Sequence, residues 1–166
     1  MFAKKKNTLK YTPLALALEI AGVGLLMGVL VITVNHYPNV PDMIPKHFDI
    51  RGVADGWAGR QAALLMPLFA IYLYIILTGI GIIARRQQRP DDQQSVLVAA
   101  LMMMLCGKVA VLVYACVRTY SVMHVQNMPI WSALILPVGL GLTIMIGALY
   151  IKRSMRLHGW ARVQDQ

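Results

Sequence analysis

The sequence predicts an all-α integral membrane protein with four transmembrane helices and a small extracytoplasmic β-hairpin-like cap between the first two. The first observation is composition: 58% of the 166 residues are apolar and only 14% are charged, against about 45–50% and about 25% in soluble domains. The second is that four apolar stretches reach the roughly 20 residues that a helix needs to cross a bilayer. This composition excludes an ordinary cytosolic enzyme, a disordered chain and a disulfide-rich secreted module.

The apolar stretches organise the whole chain, 1–166, as a single membrane domain. The predicted helices are 14–34, 62–84, 95–117 and 129–151. They are joined by the segments 35–61, 85–94 and 118–128 and followed by a tail, 152–166. The first stretch is longer than the apolar core of a signal peptide, and no small-residue cleavage site follows it, so we expect it to be an uncleaved helix.

The basic residues predict the orientation of these helices. Eleven of the 16 Lys and Arg residues lie in the N-terminal segment, the 85–94 linker and the tail, whereas the other two loops hold four. By the positive-inside rule both termini and the linker are cytoplasmic, and 35–61 and 118–128 lie outside. The net charge of +9 is thus a topology signal, and no nucleic-acid partner is predicted. The tail is expected to contact anionic headgroups, with a docked cytoplasmic protein as the alternative.

Two charged residues, Glu19 and Lys108, fall inside predicted helices. Each costs a few kcal/mol at the bilayer centre, so each requires a partner, a cavity or a route to water. From the rise per residue, Glu19 lies about 8 Å and Lys108 about 20 Å from the cytoplasmic ends of their helices. A direct pair therefore needs tilted helices and extended side chains. We expect Glu19 to reach the cytoplasmic surface. Lys108 could lie in the bundle interior or in a cavity, and this interpretation stays open.

The loop 35–61 is too long to be a simple connection and holds three of the seven acidic residues of the chain. Its prolines predict extended chain up to Pro45, and the residues from Ile44 onward could form a short strand. A turn is expected at Asp49–Gly52 and a second one at Asp55–Gly56, after which Trp57 returns to the membrane surface. The lone His124 in the other outer loop is expected to be an interfacial residue.

The string PDMIPKHFDIRGVADGWAGR, residues 41–60, resembles the signature of a bacterial membrane family, the domain of unknown function numbered 1648. That domain is also found at the start of SdpI-type immunity proteins. The resemblance implies a plasma-membrane protein; the SdpI relatives protect a cell against a secreted antimicrobial peptide, and SdpI itself also sequesters a cytoplasmic repressor. The positions that match the motif are Pro41, Asp42, Pro45, His47, Phe48, Asp49, Gly52, Asp55, Trp57 and Arg60.

Three interpretations of the loop chemistry stay open. His47, Asp49 and Asp55 could hold a divalent metal such as Zn²⁺, although H-x-D-x5-D is not an established metal motif and no other cofactor is predicted. The same groups could instead hydrogen-bond turn amides and pair with arginines, which would fix the hairpin. A surface built on Tyr37, Phe48 and Trp57 could contact a peptide or lipid.

These observations favour a non-enzymatic membrane protein whose outer cap senses or neutralises an extracellular peptide or envelope ligand. One alternative is a membrane enzyme with a metal or acid/base site at His47, Asp49 and Asp55. Another is a small transporter or transporter subunit, suggested by Glu19 and Lys108.

Overall fold

The computed structural model describes residues 12–86 and 91–164, apart from the side chains of 91–95, 150 and 153–164. The lysines of the N-terminal segment and Arg89 lie outside the described residues, as do the side chains of the basic tail after Lys152. The elements are α1 (Pro13–His36), a 3₁₀ turn (Tyr37–Asn39), β1 (Met43–Phe48), β2 (Ala54–Gly59), a second 3₁₀ turn (Arg60–Leu64), α2 (Leu65–Arg86), α3 (Asp91–Met123) and α4 (Ser132–Gln164).

All four predicted transmembrane helices are present. The segments long and apolar enough to cross a membrane are Pro13–Asn39, Arg60–Arg86, Val96–Met123 and Ser132–Leu149. Their outer faces carry exposed large apolar side chains, such as Ile20 on α1, Ile75 on α2 and Leu140 on α4. Because helices expose such side chains to lipid and satisfy their own backbone hydrogen bonds, the fold is that of a multi-pass membrane protein.

Some helix ends differ from the predicted boundaries. α3 runs from Asp91 to Met123 and so includes part of the predicted 85–94 linker and much of the predicted 118–128 loop. α4 begins at Ser132 rather than at residue 129 and continues to Gln164, through most of the predicted tail. Hydropathy marks the apolar part of a helix, whereas its backbone hydrogen bonds continue into polar sequence where no residue interrupts them.

α3 is the central helix of the bundle and packs against α1, α2 and α4. Leu105 and Met102 form one buried cluster with Ala15 of α1. Further along α3, Leu112 and Ala115 form another buried cluster with residues of α1 and α2. The approach of α4 requires a glycine, because a Cβ at Gly139 would lie 2.4 Å from the Cβ of Ala110.

The predicted hairpin is also present, as two antiparallel strands at the end of the bundle where α1 and α3 end and α2 begins. We call residues 37–64 the hairpin cap. Its underside forms a small core, in which Val40, Ile44 and Ala63 pack with Val122 and Met123 of α3. The predicted second turn at Asp55–Gly56 is wrong, because both residues lie within β2.

The close contact at Gly139 yields a first prediction. In Gly139→Val the added side chain meets Ala110, and we expect a loss of about 1–3 kcal/mol of stability from overpacking. The measurement is thermal unfolding in detergent. Gly141→Val is the matched control, since it makes the same change of helix propensity at a site with nothing within 4 Å. Equal melting temperatures for the two variants would contradict the predicted α3–α4 contact.

Candidate functional site

The tip of the hairpin cap is a turn organised by the Asp49 carboxylate. Asp49 Oδ1 accepts hydrogen bonds from the backbone N–H groups of Arg51 (2.8 Å) and Val53 (2.9 Å). The Gly52 N–H donates to the Asp49 carbonyl at 2.9 Å, and Gly52 has a φ of +80°, which favours glycine. The turn predicted at Asp49–Gly52 is therefore present, and the Asp49 carboxylate stabilises its backbone.

This turn docks on the α3–α4 connection. The Met128 N–H donates to the Gly52 carbonyl at 2.8 Å, and the Ala54 N–H donates to Asn127 Oδ1 at 3.2 Å. A Cβ at Gly52 would lie 2.1 Å from the Met128 carbonyl oxygen. Sequence reasoning missed Asn127 and Met128, because no local pattern links residues more than 70 positions apart.

Arg118 of α3 fixes the middle of the hairpin cap. The strand register shifts between Pro45 and His47, which leaves Lys46 without a cross-strand partner, as in a β-bulge. The freed Lys46 carbonyl accepts a hydrogen bond from Arg118 Nη2 at 2.6 Å. The Arg118 guanidinium also lies 5.9 Å from the centre of the Phe48 ring. In the sequence Arg118 was only one of the charges that set the topology.

Arg60 ties the second strand to the end of α1. Arg60 Nη2 donates to the carbonyls of Tyr37 (2.9 Å) and Pro38 (3.2 Å), and its guanidinium lies 4.9 Å from the Tyr37 ring centre. Its backbone N–H donates to the Asp42 carbonyl at 2.9 Å. Two motif positions, Asp42 and Arg60, thus meet through main chain and close the base of the hairpin.

His47 and Asp55 face each other across the strands, with His47 Nδ1 and Asp55 Oδ1 2.6 Å apart. Both side chains are largely exposed, so the pair adds little to stability. No group of three or more His, Cys, Asp or Glu side chains placed to hold a metal occurs among the described residues. The carboxylate of Asp49, the third predicted ligand, is bonded to turn amides. A metal at this position stays a prediction.

The outward side of the hairpin cap carries apolar side chains. Trp57 on β2 is 54% exposed and Ile50 at the turn is 87% exposed, and Met43 at the start of β1 is also exposed. Tyr37 and Phe48, which we expected to share a contact surface with Trp57, pack instead against the core of the cap. Of the three predicted residues, Trp57 is thus the most exposed, and a surface that contacts a peptide or lipid stays a prediction.

Beneath the cap lies a cavity of about 610 Å³, which we call the hairpin groove. It runs between β1, the start of α2 and the end of α3. Its lining includes Lys46, Ala63, Met66, Phe69, Arg118 and Thr119. The volume is within the roughly 300–1,000 Å³ range of pockets that hold small ligands.

The two intramembrane charges form a direct ion pair. Lys108 Nζ lies 2.6 Å from Glu19 Oε2, with the lysine side chain fully buried and that of Glu19 18% exposed. Lys108 Nζ also donates to Thr78 Oγ1 at 3.4 Å and lies 4.6 Å from the Tyr74 ring centre. The structure thus places Lys108 in the bundle interior, and the Glu19 carboxylate is turned to it. The offset estimated from the predicted helix ends left this pair open. The expectation that Glu19 reaches the cytoplasmic surface is wrong, because its carboxylate contacts Lys108 and its side chain is only 18% exposed.

His124 contacts another histidine. The rings of His36 and His124 lie 4.4 Å apart, and Tyr120 lies 4.1 Å from His124. Each Nδ1 lies 2.9 Å from the carbonyl of the residue four positions earlier, Ile32 or Tyr120. The interpretation of His124 as a lone interfacial residue is therefore wrong in one respect, since α1 and α3 bring the two imidazoles together.

Fold and cap together define a multi-pass membrane protein with a structured hairpin at one end of its bundle. Comparison with protein families adds one match: residues 24–71 fit the model described as a domain of unknown function (DUF1648). The match runs from the middle of α1 through the whole hairpin cap into α2 and contains every motif position named above. No curated protein and no solved structure matches the chain significantly.

Gly52 provides a prediction for the cap. Gly52→Ala forces a Cβ against the Met128 carbonyl and a left-handed backbone on alanine, which alone costs about 1–2 kcal/mol. We expect faster hydrogen–deuterium exchange at the Val53 and Met128 amides. Gly59→Ala is the control, because its added Cβ has only the Asp42 carbonyl oxygen near it, at 4.0 Å. Unchanged exchange in Gly52→Ala would contradict this docking.

The ion pair between Lys108 and Glu19 provides a further prediction. Lys108→Met leaves Glu19 without its cation in an apolar bundle, and we expect a loss of about 3–5 kcal/mol. Adding Glu19→Gln should recover part of this loss, since the unpaired charge is then removed. Thermal unfolding of the single and double variants measures the coupling, and Lys152→Met, at an exposed position, is the control. Additive effects of the two substitutions would show that the residues are not coupled.

Proposed function

We propose that this protein is a non-catalytic receptor whose hairpin cap, on the outer face of a bacterial plasma membrane, binds an amphipathic peptide and protects the cell from it. The observation that carries the proposal is Trp57, an aromatic side chain 54% exposed on a hairpin held against α3 and the α3–α4 connection. Ile50 and Met43 are further exposed apolar side chains of the cap.

The physical basis is preorganisation. The Asp49, Arg118 and Arg60 side chains hold the hairpin backbone by hydrogen bonds to main-chain N–H and carbonyl groups. Binding of a ligand at Trp57 therefore loses little conformational entropy of the loop, and this favours affinity. Exposed tryptophans with this support are typical of residues that dominate binding energy at interfaces.

The distribution of basic residues supports an outer position for the cap, because the N-terminal segment, the linker and the tail are the more basic side. The resemblance of the cap motif to SdpI-type immunity proteins supports protection against a secreted peptide. That support is an analogy between families.

The test compares two tryptophans. Cells expressing the wild-type protein, Trp57→Ala or Trp131→Ala are challenged with a panel of synthetic amphipathic antimicrobial peptides, and the inhibitory concentration is measured. Trp131 is a matched control, since it has the same 54% exposure and lies at the same end of the bundle. We expect protection against at least one peptide. Trp57→Ala should lose about 30-fold in affinity for that peptide, the effect of a residue worth about 2 kcal/mol.

Two outcomes would contradict the proposal. One is unchanged sensitivity to every peptide when the wild-type protein is expressed. The other is equal protection by Trp57→Ala and Trp131→Ala, which would show that the outward surface of the cap is not the binding surface. Expression of each variant in the membrane is measured in parallel, so that loss of protection is not confused with loss of protein.

A further inference from the structure

We propose that the hairpin groove is a binding site for one anionic phospholipid of the leaflet at the hairpin end of the bundle. This site is separate from the outward surface of Trp57, because Trp57 does not line the groove. Three features of the groove lead to this ligand: its charge, one buried hydroxyl and its apolar side.

The charge of the groove is positive. Lys46 and Arg118 both line it, and no Asp or Glu is found among its lining residues in the described chain. The Lys46 side chain is exposed, so its ammonium can face a ligand. His47 also lines the groove, and its Nδ1 lies 2.6 Å from the Asp55 carboxylate. The two cations, Lys46 and Arg118, match a phosphate group.

Thr119 supplies the second feature. Its side chain is 1% exposed, lines the groove and has an Oγ1 with no hydrogen-bond partner among the described residues. Two other buried helical threonines behave differently: Thr33 Oγ1 donates to the Val29 carbonyl at 2.8 Å and Thr143 Oγ1 to the Gly139 carbonyl at 2.7 Å. A buried hydroxyl without a partner is unfavourable. The carbonyl oxygen of a glycerolipid ester would satisfy it.

The third feature is the apolar side. Met66 and Phe69 of α2 line the groove, and Phe69 is 49% exposed. Leu68 and Tyr72 continue the exposed apolar face of α2 toward the bilayer centre. An acyl chain that leaves the groove along Phe69 therefore continues on a lipid-facing helix surface.

These features correspond to the parts of a phospholipid. The cations at Lys46 and Arg118 face the phosphate, Thr119 donates to the ester and Phe69 contacts the acyl chain. Bilayer lipid is as apolar as the groove, so burial of the chain gives no preference among lipids. Selectivity arises from the cations, and the site should prefer phosphatidylglycerol to the zwitterionic phosphatidylcholine.

The experiment uses the full-length protein, purified in detergent and mixed with equal amounts of phosphatidylglycerol and phosphatidylcholine. Native mass spectrometry counts the lipids that stay bound. We expect one retained phosphatidylglycerol, and about a fivefold weaker retention in Lys46→Gln, from roughly 1 kcal/mol per basic residue. Thr119→Val, which conserves shape, should also weaken retention.

Two controls separate this site from general lipid contact. Arg86→Gln removes one exposed cation at the opposite end of the bundle, and Thr143→Val removes a hydroxyl already bonded to its own helix. Both should retain phosphatidylglycerol like the wild type. Equal retention of the two lipids, or retention in Lys46→Gln and Thr119→Val equal to that of the controls, would overturn the proposal. The outcome is independent of the peptide test, since neither variant changes the Trp57 surface.

Discussion

The arrangement of the cap depends on the docking of a two-stranded hairpin that has little stability alone. Such a hairpin is marginal in water, so the strands need support from the helices. Arg118 supplies it by donating to the Lys46 carbonyl, and the α3–α4 connection supplies it by donating to Gly52. Lys46 and Arg118 also line the hairpin groove, and Trp57 projects from the strand that pairs with β1. Without the docking contacts neither proposed binding surface would have a fixed shape.

A second constraint comes from the apolar surroundings of the helices. A buried cation needs an anion, and Lys108 on the central helix finds one in Glu19 of α1. Because Lys108 also donates to Thr78 of α2, this pair links α1, α2 and α3 in the bundle interior. Ten residues further along α3, Arg118 donates to the Lys46 backbone carbonyl of the cap. The central helix thus links the bundle interior to the cap.

Much of the candidate site was open to prediction from local sequence. The turn at Asp49–Gly52 was predicted because a side-chain carboxylate followed by glycine three residues later specifies its own backbone geometry. The turn at Asp55–Gly56 was predicted from the Asp-Gly dipeptide and is wrong. Pairing with β1 overrides this local preference, and Gly56 lies opposite His47. The unpartnered Thr119 left no signal in the sequence, since only the folded neighbourhood decides which hydroxyl finds a partner.

The sequence by itself determined four apolar helices and a hairpin between the first two, because hydrophobic length and turn chemistry act over a few neighbouring residues. Only the tertiary structure decided which distant groups meet. It paired Glu19 with Lys108, separated by 89 positions, and set Arg118 against Lys46, separated by 72 positions. The physical reason is that helix tilt and offset fix such contacts, and these follow from the packing of whole helices rather than from any local pattern.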